Sequence, residues 1–266
     1  MERIQAALQK VREQRGSDQA AEQTFSSCLR LGSEVAWENL PRTVADPKLL
    51  AHNRIVTAYR SDAAHVAFDM LRTSALQSLR ENNWTVLAVT SPTPACGKSV
   101  VSLNLAFSLA NQKECRTVLI DLDLRRPQIG KLLGAKTSAS MESFLAGRAD
   151  VEDVFVRYSD NVAIASNNRP VRFSAELLAS SDAAKALKRV RQKLDPDVVI
   201  IDMPPMLSSD DVQAFAPNVD CSLLVLAAEM TTIREADICE RKLADKTNVL
   251  GVVLNKCRYT PDKYGY

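Results

Sequence analysis

The apolar run Trp84-Thr85-Val86-Leu87-Ala88-Val89 leads within two residues to Pro92-Thr93-Pro94-Ala95-Cys96-Gly97-Lys98-Ser99. A strand signal, then Gly-Lys-Ser, then a helical pattern (Val100, Leu103, Ala106, Leu109) is the order in which a chain builds a phosphate cradle. Backbone N–H groups ring the anion and Lys98 adds a point charge. Ser99 offers its hydroxyl to Mg²⁺, and the following helix aims the positive end of its dipole at the same place. The candidate nucleotide-binding set is therefore Pro94, Ala95, Cys96, Gly97, Lys98, Ser99 and Val100. Two positions depart from the P-loop pattern. Pro92 stands where a glycine is expected five residues before Gly97, and Ala95 occupies a loop position where glycine relieves backbone crowding.

Two further apolar runs end in carboxylates. Val118-Leu119-Ile120-Asp121-Leu122-Asp123-Leu124-Arg125 carries two, and Val198-Val199-Ile200-Ile201-Asp202-Met203-Pro204-Pro205 carries one. Parallel strands bring their C-terminal ends to one sheet edge, where such sheets bind ligands. Asp121, Asp123 and Asp202 beside a P-loop thus predict a Mg²⁺ site, because hard cations take oxygen ligands and Mg²⁺ keeps waters that carboxylates orient. Any one of these Asp residues alone reads as an ordinary strand end.

The 266 residues suffice for one large α/β domain with an appendage, and 46% hydrophobic with 25% charged residues is ordinary for a globular protein. A net charge of +2 points to neither a nucleic-acid binder nor a polyacidic substrate. No apolar run reaches the roughly 18 residues of a membrane span, and Met1-Glu2-Arg3-Ile4-Gln5 lacks a signal-peptide core, so the expected location is cytoplasmic. Six scattered cysteines without a Cys-x-x-Cys pair, and only His52 and His65, predict reduced thiols and no zinc. Cys96, between a lysine and a helix N-terminus, has the surroundings that activate a thiol, which makes it a candidate redox-sensitive residue.

Residues 2–15 read as a short amphipathic helix (Ile4, Leu8, Val11) stopped near Gly16, giving an N-terminal unit of 1–16. Residues 17–60 read as an extension, with Trp37, Leu40 and Leu49-Leu50 available to pin it to the domain surface. A domain over 61–256 opens with a helix at 61–82 and alternates strands near 84–90, 116–122, 161–166, 197–203, 221–227 and 248–254 with helices near 98–112, 127–134, 139–146, 150–158, 174–192, 210–216 and 231–245. This pattern predicts a parallel sheet flanked by helices on both faces. The tail, 257–266, holds three of the five tyrosines: Tyr259, Tyr264 and Tyr266.

Together these segments resemble the bacterial tyrosine kinases of capsule and exopolysaccharide synthesis, stand-alone cytoplasmic type, with a deviant P-loop on a partition-ATPase-like fold. Pro94 to Ser99 parallels the family's Pro-Gly-x-Gly-Lys-Ser/Thr, Val118 to Arg125 its Asp-x-Asp-x-Arg motif with the Arg125-Arg126-Pro127 continuation, and Val198 to Pro205 its third motif. Phe68-Asp69-Met70-Leu71-Arg72-Thr73 resembles a family helix, and Leu250 to Asn255 its last strand. The resemblance covers roughly 60–266 and implies ATP and Mg²⁺ as ligands. It gives Lys98 and the loop amides to the phosphates, Ser99, Asp123 and Asp202 to the metal, and Asn255 to the adenine. Asp121 orients or deprotonates the acceptor hydroxyl, with Asp123 able to exchange roles. Arg125 either stabilises phosphoryl charge or meets a neighbouring subunit. Tyr259, Tyr264 and Tyr266 become phosphate acceptors on another subunit. The implied partner is a membrane polysaccharide chain-length regulator that recruits and activates the kinase, with the 2–15 helix as a docking element. The Glu-x-x-Arg-x-x-Arg helix motif that joins ring-forming relatives stands here as Val66, Asp69 and Arg72, so a ring held by those ion pairs is not predicted. Two other readings compete. A partition-type switch ATPase carries a signature lysine where Thr93 stands, and a non-catalytic ATP-binding scaffold is suggested by Ala95.

Overall fold

The computed structural model describes residues 31–59, 62–135 and 140–257. In chain order the elements are α1 (31–38), α2 (Pro47–His52), α3 (His65–Asn82), β1 (Val86–Thr90), α4 (Lys98–Ala110), β2 (Thr117–Asp121), α5 (Ile129–Leu133), α6 (Met141–Leu145) and α7 (Val151–Val154). They continue as β3 (Phe155–Arg157), β4 (Val162–Ala165), α8 (Ser174–Leu178), α9 (Ser181–Leu194), β5 (Val198–Asp202), α10 (Asp211–Phe215), β6 (Cys221–Ala227), α11 (Ile233–Ala244) and β7 (Asn248–Asn255).

The seven strands form one sheet in the order β3-β4-β2-β5-β1-β6-β7. β1, β2 and β5 are buried along their whole length, which explains why their sequences are apolar on both faces. One core, with Val86, Val118, Val199 and Leu224, lies under α9 and α11; the other, with Leu87, Leu119, Ile200 and Leu223, lies under α3 and α4. Helices thus cover both faces, as the alternation predicts.

Two details differ from the sequence reading. The helix expected at 150–158 ends at Val154, and Phe155–Arg157 becomes β3, antiparallel to β4 through Val156↔Ile164. The sheet is therefore parallel except at one edge. The helix expected at 174–192 is two helices, because Ser180 caps α9 by accepting a hydrogen bond from the Ala183 N–H.

Residues 31–59, inside the stretch read as an extension, pack against the body. Trp37, Leu40, Leu50 and Ile55 are buried. The Trp37 indole donates to the Asp160 carbonyl at 2.8 Å, and the Arg116 guanidinium lies 4.8 Å from its ring centroid. The backbone at 41–43 pairs with Arg157, covering the outer side of β3. The 2–15 helix, Cys28 and the three tail tyrosines lie outside the described residues. Among the described residues no helix is long and apolar enough to cross a membrane.

Candidate nucleotide site

β1 ends at Thr90, and the loop to α4 turns twice through left-handed backbone, at Ala95 (φ 65°) and Gly97 (φ 91°). At Gly97 a side chain is disfavoured: the backbone is left-handed, and a Cβ would overlap the amide nitrogen of Asn255 and force it to move. That amide donates to the Cys96 carbonyl at 2.9 Å, so the end of β7 braces the loop. Gly97 is the N-cap of α4 and has no side chain to satisfy the first-turn N–H groups, which leaves that end of the helix suited to an anion. The alanine at 95 adopts the conformation for which a glycine was expected, at a strain of about 1 kcal/mol.

The three aspartates meet because β2 and β5 are neighbours in register, with Asp121 opposite Asp202. Lys98 Nζ lies 2.7 Å from Asp123 Oδ2 and 3.6 Å from Asp202 Oδ2. Asp202 accepts hydrogen bonds from Ser99 Oγ at 2.6 Å and Ser102 Oγ at 3.1 Å. Burial opposes the Lys98 charge, but Asp202 and Asp123 outweigh it and hold its pKa above the usual lysine value. Burial pushes Asp202 up as well, against the pull of Lys98 and Ser99. Asp121 is fully buried, and its oxygens accept from the N–H groups of Asp123 (3.2 Å) and Ile129 (3.0 Å). Burial, reinforced by the neighbouring Asp202 charge, holds its carboxyl well above the ordinary carboxylate range.

A cavity of about 580 Å³ opens over this cluster. Pro94, Ala95, Gly97, Lys98, Ser99, Val100, Asp123 and Arg125 line it. Asp121, Asp202, Cys96 and Asn255 do not, although each contacts a lining residue or its neighbour. Cys96 is buried and its thiol donates to the Thr93 carbonyl at 3.2 Å, a packing role that departs from the reactive thiol expected. The Arg125 guanidinium reaches away toward α10 and α8, with Nε 3.1 Å from Asp211 Oδ2 and 3.1 Å from Ser174 Oγ. On α3, Asp69 accepts from Arg72 Nη1 and from Ser108 Oγ, both at 2.7 Å, so these charges tie α3 to α4.

The rest of the lining, with Arg126, Gln128, Pro204, Pro205, Ser208 and Ser209, was not among the sequence candidates. Arg126 and the two prolines stood within motifs; nothing in the sequence marked the serines.

The donor set suits Mg²⁺ and a polyphosphate: one hydroxyl, carboxylates, an ammonium and a bare helix N-terminus. Among the described residues no three His, Cys, Asp or Glu side chains make a ready cage. Mg²⁺ bound with a nucleotide usually has only one or two protein ligands, the rest being water and phosphate.

A parallel sheet with a P-loop and three strand-end carboxylates defines a P-loop NTPase. Residues 83–265 match the family described as ParA: NUBPL iron-transfer P-loop NTPase. The chain is 29% identical over 234 residues to the putative tyrosine-protein kinase AmsA of Erwinia amylovora, covering 86% of this chain and 32% of that protein. It thus spans about a third of that relative's length. The kinase domain of the Escherichia coli tyrosine kinase ETK superposes with a TM-score of 0.69 at 28% identity, covering 80% of this chain and 84% of that one. The septum site-determining protein MinD from Pyrococcus horikoshii, complexed with Mg-ADP, has a TM-score of 0.55 at 20% identity, over 66% and 72% of the two chains, a likeness of fold alone. The chain belongs to the ParA-type P-loop NTPases and, within them, is similar to the bacterial tyrosine kinases.

Proposed function

We propose that the chain is an ATP- and Mg²⁺-dependent protein-tyrosine kinase that phosphorylates Tyr259, Tyr264 and Tyr266 on a second copy of itself. The observation that carries this is the buried Lys98–Asp123–Asp202–Ser99 cluster at the floor of a cavity lined by the P-loop.

Phosphoryl transfer asks a protein mainly for positioning and charge neutralisation. Lys98 exchanges carboxylate partners for the oxygens of the β- and γ-phosphates, while the α4 N-terminus holds the phosphate chain. Ser99, with Asp123 and Asp202, would hold the metal and its waters, and Mg²⁺ there would supply charge neutralisation on the phosphates. The proton of the tyrosine hydroxyl goes to the Asp121–Asp123 pair. Asp121 has the raised proton affinity and Asp123 faces the cavity, and Asn variants of each separate their roles. Arg125 keeps the β2 loop in place through Asp211, and Asn255 supports the loop beneath the nucleotide.

For Tyr259, chain length favours acceptance on a second copy: it lies four residues beyond Asn255, at most about 13–14 Å of backbone. β7 lies four strand spacings from β2, about 19 Å. In this reading 61–256 is the catalytic domain, 17–60 the extension whose described part packs on it, 257–266 the acceptor tail and 1–16 a docking helix. The kinase works in the cytoplasm, recruited to the inner membrane face by a polysaccharide chain-length regulator. The test is mass-spectrometric mapping of phosphate after incubation with Mg²⁺ and ATP, alone and with the cytoplasmic part of such a regulator. Phosphate on the three tail tyrosines supports the reading. Phosphate release without phosphotyrosine overturns it in favour of a switch ATPase.

A further inference from the structure

Two polar side chains of the cavity lining have no hydrogen-bond partner among the described residues. Arg126 lines the cavity and is exposed, and among the described residues no carboxylate, carbonyl or hydroxyl pairs with its guanidinium. Its neighbour Arg125 is held by Asp211 and Ser174, so the two arginines of Arg125-Arg126-Pro127 have different surroundings. Ser209, on the segment after β5 whose backbone bonds the start of the loop at Ser91 and Pro92, also lines the cavity, and its hydroxyl oxygen is buried with no hydrogen-bond partner among the described residues. A buried hydroxyl without a partner is uncommon in a folded protein and marks a place where a further group completes the site.

Position says which part of a ligand these groups meet. Asp123 uses one oxygen to hold the Lys98 ammonium at 2.7 Å and the other to accept the Arg126 N–H at 3.0 Å. The Arg126 side chain therefore starts beside the lysine that, in the proposed function, takes the distal phosphates. We propose that Arg126 and Ser209 form a terminal-phosphate subsite, by which the protein distinguishes a nucleoside triphosphate from a diphosphate. The guanidinium supplies a charge-assisted hydrogen bond and the hydroxyl a neutral one to oxygens that a diphosphate lacks. The proposal rests on the reading of this cavity as a nucleotide site and is independent of which acceptor follows.

The test is calorimetric titration of the full chain, in Mg²⁺, with ATPγS and separately with ADP, for wild type, Arg126→Ala, Arg126→Lys, Ser209→Ala and Arg125→Ala. Arg126→Ala is expected to weaken ATPγS by about tenfold or more while ADP changes less than about twofold. Arg126→Lys should recover part of the loss, and Ser209→Ala should weaken ATPγS selectively by a smaller factor. Arg125→Ala should lower the melting temperature without this selectivity. Equal weakening of both nucleotides by Arg126→Ala, or none, overturns the subsite while leaving the nucleotide site intact. A wild type that binds neither nucleotide overturns the nucleotide reading and the subsite with it.

Discussion

Asp121 on β2 and Asp202 on β5 face each other as register partners at the same sheet edge, and both are fully buried. Among the described residues Lys98 alone of the lysines lies within ion-pair distance of Asp202 and Asp123. Carboxylates therefore outnumber the ammonium in this buried cluster, an arrangement that suits the Mg²⁺ of the proposed function.

That imbalance sets a pH dependence. Burial holds the Asp121 carboxyl above its unfolded value, so over that interval the folded chain keeps a proton that the unfolded chain has lost. The associated stability is present below the unfolded pKa and declines as pH rises through the folded one. Asp121→Asn should therefore raise the stability of the ligand-free protein at pH 7–8 by about 1 kcal/mol, with the gain shrinking on acidification. Thermal melts of both proteins across pH 4–8 check this. A variant less stable than wild type throughout contradicts it.

Gly97→Ala should be severe. It puts a side chain on a φ of 91° and into the Asn255 amide that braces the loop. We expect a loss of about 2–3 kcal/mol and of nucleotide affinity. Adding Asn255→Ala removes the clash but not the strain, so the double variant should cost less than the two singles summed; denaturant melts measure the coupling.

Ala95→Gly should act in the opposite direction. The left-handed backbone at 95 favours glycine, and the relief of about 1 kcal/mol outweighs the added freedom of the unfolded chain by up to about 0.5 kcal/mol. Ala95→Val should destabilise. Denaturant midpoints with an unchanged slope report both.

Arg125→Ala leaves buried Asp211 with the Ser174 hydroxyl as its remaining described partner. Because the arginine side chain is half exposed, solvent screening reduces the loss to about 1–2 kcal/mol. Asp211→Asn in the same background should recover part of it, which a double-variant melt resolves.

The residues of β1, β2 and β5 were legible because strands buried on both faces have no polar alternation, and because each leads directly into its motif. β3 was not. Val151, Val154 and Phe155 fall at helical spacing, and only the presence of β4 alongside turns Phe155–Arg157 into a strand. Within the site, Lys98, Ser99 and the aspartates are identified by order along the chain. Long-range partners are not: nothing local links Asp211 to Arg125, Ser209 to the cavity, or the Asn255 amide to the Cys96 carbonyl. The glycine-like turn at Ala95 was legible as a departure, whereas the inward packing of Cys96 was hidden, since adjacency to a lysine does not say which way a loop side chain faces.

The central claim is that the Lys98 cluster transfers phosphate to tyrosine. The most direct measurement is label incorporation from γ-labelled ATP with Mg²⁺, by wild type, by Lys98→Met, and by the chain with Tyr259, Tyr264 and Tyr266 all changed to Phe, each with and without the regulator's cytoplasmic segment. Phosphotyrosine is expected in wild type and none in either variant. Undiminished label in Lys98→Met, or label confined to other residues, would contradict it.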